Sequence, residues 1–138
     1  VIDFRVILYH KQATSARTRF VRFTEGTILA FGPLTGCSQL KIDGADEIAV
    51  HPASISQQTE ALLGLPADSL KVETNFQHAV EVDGSDIKIV LASITTIDPP
   101  FEIIENAGAR FIDLTQARGL PQNELELLRH AYELILGG

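Results

Sequence analysis

The sequence predicts an α+β protein, with a two-layer, mainly antiparallel β-sheet of about five to seven strands in its N-terminal two-thirds and two or three helices covering it. The last helix is C-terminal and amphipathic. Three observations carry this reading. Leu70, Val72, Thr74, Phe76, His78, Val80 and Val82 alternate with Lys71, Glu73, Asn75, Gln77, Ala79 and Glu81, the period of a strand with one buried and one wet face. Strand-forming segments come first and helix-forming segments mostly last, unlike the alternation of a β-α-β protein. From residue 123 onward the apolar residues recur at helical spacing.

The elements follow in order. In residues 1–14, Ile2, Phe4, Val6 and Leu8 share one strand face, with Arg5, Ile7 and Tyr9 on the other. Residues 17–24 are rich in β-formers and give a second strand, which Gly26 bends and 27–31 continue. Leu40 and Ile42, the turn Asp43-Gly44-Ala45-Asp46, then Ile48 and Val50 read as a hairpin. Pro52 ends that strand. Ser54 and Gln57 have capping-box spacing, and Ile55, Thr59, Leu62 and Leu63 form a helical stripe closed by Gly64. The alternating strand comes next and turns at Asp83-Gly84-Ser85-Asp86 into the more fully apolar 87–97. These two strands are expected at the centre of the sheet. The resemblance of residues 42–46 to 82–86 reads as reuse of a favourable Asp-Gly turn.

Asp98-Pro99-Pro100 supplies a capping carboxylate and a proline for a helix that places Phe101 and Ile104 inward and ends at Gly108. Residues 110–114 fit either a short strand or a turn. Asn123 and Glu126 form a second capping box. On the helix they open, Leu125, Leu127, Leu128, Ala131, Tyr132, Leu134 and Ile135 fill about half the wheel. Glu126, Arg129, His130 and Glu133 take the opposite, solvated arc.

Size and charge narrow the function. With 138 residues, 45% hydrophobic and 21% charged, the chain has room for one globular domain, 1–138, that needs no disulfide or metal to hold its core. A net charge of −7 argues against nucleic acid or an anionic membrane as the main partner. Cys37 is the single cysteine and reads as a small packed hydrophobe rather than a nucleophile. No apolar run approaches the roughly 20 residues of a spanning helix. The opening Val-Ile-Asp-Phe-Arg lacks the pattern of a signal peptide, so a cytoplasmic location is expected.

No chelating spacing links His10, Cys37, His51, His78 and His130, no calcium loop or phosphate-binding glycine motif is present, and no metal or cofactor is expected. His78, on the apolar face of its strand, is the catalytic candidate. Charge is uneven: residues 1–35 carry five basic and two acidic residues, the rest of the chain six and sixteen. Arg17 and Arg19 share a strand face and, with His10, are candidates to bind a small anionic ligand. The simpler account pairs these arginines with the acidic remainder. The balance favours a non-enzymatic binding or accessory protein that self-associates as a homodimer, its wide apolar helix packing either on the sheet or on a twin. The alternative is a small-molecule enzyme or anionic-ligand-binding protein with its site between sheet and helices, using His78 or His10 and the N-terminal arginines.

Overall fold

In the computed structural model the described residues are 4–13, 15–34, 38–41, 51–76 and 78–137. The strands are β1 (Phe4–Lys11), β2 (Thr18–Phe23), β3 (Leu29–Ala30), β4 (Ser38–Lys41), β5 (Leu70–Val72), β6 (His78–Val82), β7 (Ser85–Ile94) and β8 (Ala109–Ile112). The helices are α1 (Pro52–Leu63), α2 (Phe101–Asn106) and α3 (Gln122–Gly137), with a 3-10 turn at Leu114–Gln116. The strands form one sheet in the order β4-β6-β7-β1-β2-β8, with β3 also beside β1 and β5 also beside β7. The α+β class, the mostly antiparallel sheet and the C-terminal helix are as expected. The turn and second strand of the hairpin expected in the forties, and Cys37, lie outside the described residues.

Two details differ from expectation. First, the sheet is mixed, because β1 and β7 run parallel, with Phe4 opposite Lys88 and Tyr9 opposite Ser93. These two strands hold the centre, and the alternating strand lies one place further out. Second, helices cover both faces rather than one. Phe4, Val6, Leu8, Val90, Ala92 and Ile94 pack with Ile55 and Leu63 of α1 and Ile104 of α2. Ile7, Tyr9, Ile89 and Leu91 pack on the opposite face with Leu127, Leu128, Ala131 and Ile135 of α3. The physical reason is in the central strands. Each is apolar at successive positions, so one helical layer would leave the other face bare to water.

The long alternating segment is interrupted. β5 pairs with the far end of β7 and β6 with its near end, and 73–76 forms a turn between them, closed by Phe76 N–H donating to the Glu73 carbonyl at 3.2 Å. Residues 18–30 divide in the same way, β2 beside the end of β1 and β3 beside its middle. The β6–β7 hairpin turns on Asp83 and Gly84, both at positive φ (49° and 84°), which fits the type I′ turn that Asp-Gly favours.

Helix ends also depart from the sequence expectation. α1 starts at Pro52, capped by His51, whose Nδ1 accepts from Ala53 N–H at 3.3 Å, rather than at Ser54. Proline at the first helical position has the right φ and lacks an N–H to satisfy, so the helix begins there. Gly64 ends it in the left-handed conformation, as the sequence implies. α2 has Pro100 rather than Asp98 at its cap and buries Ile104, while Phe101 stays 49% exposed. α3 begins one residue before Asn123, its first turn anchored by Leu125 N–H to the Pro121 carbonyl at 3.0 Å. Residues 110–114 resolve into the end of β8 and the start of the 3-10 turn. Among the described residues no helix is long and apolar enough to cross a membrane.

Candidate functional site

The sheet separates the candidate residues. His78 opens β6 opposite Ile89 and so stands on the α3 face. Its ring stacks on Phe76 at 4.4 Å between centroids and meets His130 of α3 at 4.9 Å. His130, expected in solvent, is half-buried against it. His10 extends the Phe4-Val6-Leu8 row and faces the α1–α2 side. It is fully buried, with Nε2 2.7 Å from the Thr96 carbonyl. A carbonyl can only accept, so the ring carries a proton on Nε2 and donates it. Its buried Nδ1 has no hydrogen-bond partner among the described residues.

Arg19 lies opposite His10 in the β1–β2 register, and Arg17 is two residues along on the same face. The structure thus brings His10, Arg17 and Arg19 to one side and places His78 on the other. Arg17 grips Asp113 with Nε and Nη2, at 3.0–3.2 Å. Arg19 donates to Gln12 Oε1 at 3.2 Å, and its guanidinium lies 5.5 Å from the centre of the Phe101 ring. Arg22, on the α3 side, donates to the carbonyls of Gln116 and Arg118 at 2.9 and 3.0 Å. Arg17 and Arg22 therefore dock the segment after β8 onto the sheet, while Arg19 holds the β1–β2 turn and Phe101.

Three polar features escape a reading by residue type. Glu124 of α3 is buried, accepting from Thr27 Oγ1 and Ile28 N–H, both at 2.8 Å. Burial pushes its carboxyl above the ordinary range, against the pull of those two donors and the Arg22 charge. Glu60 of α1 accepts from Ser69 and Leu70 N–H at 3.0 and 3.2 Å where β5 begins. Tyr9 donates its hydroxyl to Glu73 Oε1 at 3.0 Å. Burial first, then the bond and charge of Glu73, raise its phenol well above the usual value and keep it a proton donor. A helical wheel would have exposed Glu124, which falls in line with Leu128, Ala131 and Ile135. The Tyr9–Glu73 contact depends on register and leaves no such trace.

Among the described residues no group of three or more His, Cys, Asp or Glu side chains is placed to hold a metal ion. Cavities lined by the described residues open on the surface at three places, among others. One of about 490 Å³ lies at the end of the β2–β8 ladder, beside Arg22, Gly108 and Arg110. One of about 350 Å³ lies where β1 and β7 end, beside Tyr9, Lys11 and Ser93. A third of about 290 Å³ is lined by Phe23, Phe31 and Leu62 among others. No protein-family model matches the chain, and no curated protein is significantly similar to it.

Proposed function

We propose that the protein is a non-enzymatic binding or accessory domain that associates with a second copy of itself. The observation that supports this reading is how the candidate chemical groups are employed. His78 is stacked between Phe76 and His130, Arg17 is paired with Asp113, Arg19 is held by Gln12 and Phe101, and His10 is tied to the Thr96 carbonyl. Groups fixed in this way hold the fold together and do not converge on a point where a substrate atom could sit.

Self-association draws support from the surface. Ile97 is 87% exposed and Leu136 63%, while Leu62 and Phe101 are each 49% exposed. Fully covering an exposed side chain contributes on the order of 1.5–3 kcal/mol, and the half-exposed Leu62 and Phe101 offer about half of that. Native mass spectrometry of the purified chain, set against its denatured mass, tests the reading. A dimer mass with nothing added is the expected result, and a monomer across the concentration range overturns it. The enzymatic alternative predicts that His78→Gln or His10→Gln abolishes turnover of a substrate. The binding reading expects His78→Gln to fold and associate as the parent does.

A further inference from the structure

Parallel pairing has a consequence at one end of the sheet. β1 and β7 point their carboxyl ends the same way, so the chain leaves both strands there in two separate loops, joined on the α1–α2 side by the His10–Thr96 bond. The crevice at the carboxyl ends of parallel strands is the usual place for a ligand in open α/β sheets. The cavity of about 350 Å³ occupies this position, lined by Tyr9, Lys11, Ser93, Thr95, Thr96 and Ile97 among others.

Register assembles the polar groups. Lys71 of β5 is opposite Ser93 of β7, and Ser93 is opposite Tyr9 of β1, so the three form one row across the sheet. Lys11 and Thr95, each two residues further on, stand on the same face at the rim. α3 packs on this face as far as Tyr9, leaving Lys11, Lys71 and Thr95 exposed and Ser93 half-buried. Unlike Arg17, neither lysine has a carboxylate within ion-pair distance among the described residues. The neighbouring acid, Glu73, already accepts from the Tyr9 hydroxyl. Ser93 Oγ donates to the Lys71 carbonyl at 3.5 Å, a length at which little is lost if the hydroxyl turns toward a better acceptor. Ile97, 87% exposed, presents an apolar side chain at the same rim.

We infer that this crevice binds a small organic anion, its carboxylate or phosphate group held by the Lys11 ammonium and the Ser93 hydroxyl and its apolar part resting on Ile97. Lys71 adds positive charge from the adjoining strand. The site goes beyond self-association and, Ile97 apart, uses other residues, so the two can fail separately. The test is heteronuclear NMR of the ¹⁵N-labelled full chain, titrated with inorganic phosphate and, separately, with hexanoate.

Saturable shifts at the amides of residues 11 and 93–97 are expected with at least one probe. Saturation by phosphate alone assigns a phosphoryl ligand, and by hexanoate alone a carboxylate. Lys11→Gln should weaken binding at least about fivefold, the loss of one charge-assisted contact, while Lys11→Arg retains it and Arg118→Gln leaves it unchanged. The inference is overturned if neither probe gives saturable shifts there, or if Lys11→Gln, with a native spectrum, binds as tightly as the parent. A dimer that ignores both probes overturns the site and leaves self-association standing.

Discussion

Replacing Glu124 tests how α3 is held to the sheet. Its carboxylate accepts from Thr27 Oγ1 and from Ile28 N–H, both at 2.8 Å, in a site where the side chain is 1% exposed. Glu124→Leu is apolar and of similar length, but it leaves both donors buried without an acceptor. At about 1–3 kcal/mol for each unmet donor, the loss should be about 2–6 kcal/mol. For a urea m-value of about 2 kcal/mol/M this lowers the unfolding midpoint by about 1–3 M. Glu124→Gln keeps an acceptor for Ile28, and the Thr27 hydroxyl can turn to receive the new amide, so its cost should stay under about 1.5 kcal/mol. The pH dependence has a definite sign. A carboxyl raised by burial favours the protonated form in the folded state. Its contribution is full below the unfolded value of about 4.3 and is lost as pH rises through the higher folded value. Glu124→Gln should therefore gain on the parent as pH rises above about 4.3 in urea titrations followed by circular dichroism. A Leu variant within about 0.5 kcal/mol of the parent would refute the acceptor argument, since it would leave the two donors without cost.

Three further outcomes are expected from the same denaturation assay. Leu128→Ala removes a side chain that is 1% exposed and packed against the sheet, and should cost about 2–5 kcal/mol depending on how far the cavity collapses. Glu60→Ala should cost about 2–4 kcal/mol by stranding the Ser69 and Leu70 N–H groups, with Glu60→Gln recovering most of that loss. Arg17→Gln breaks an ion pair whose side chains are 53% and 39% exposed, so it should cost under about 1 kcal/mol, and less still in high salt.

The class of fold was legible because the chain states its periods clearly, but the layer arrangement was not. Arg5, Ile7 and Tyr9 look like the second face of an ordinary half-buried strand. Yet Ile7 is fully buried and Tyr9 nearly so, because the same strand is apolar on both sides and both must be covered. The interruption between β5 and β6 was hidden for the opposite reason. Alternation continues through Thr74 and Phe76, although the backbone turns there, so Phe76 is buried by its contact with the α3-side core rather than by a strand face. Pairing direction is not encoded locally at all. Nothing in residues 4–11 distinguishes a parallel neighbour from an antiparallel one, so the row Lys71-Ser93-Tyr9 became visible only with the register.

The two buried glutamates show why irregular strands and acidic helices belong together in this protein. Where the chain breaks between β2 and β3, Ile28 N–H donates to Glu124 from the helix on one face. Where β5 begins, Ser69 and Leu70 donate to Glu60 from the helix on the other face. A carboxylate can accept from two donors at once and reach them from a helix, which a backbone carbonyl in a neighbouring strand cannot do at such a break. Each interruption thus places a demand on a particular helical position. Glu124, in line with Leu128, Ala131 and Ile135, then reads as the acceptor that fixes the register of α3 over the β2–β3 break. Sliding the helix by one residue would move that acceptor about 100° around the axis and put a leucine or an asparagine against the stranded N–H.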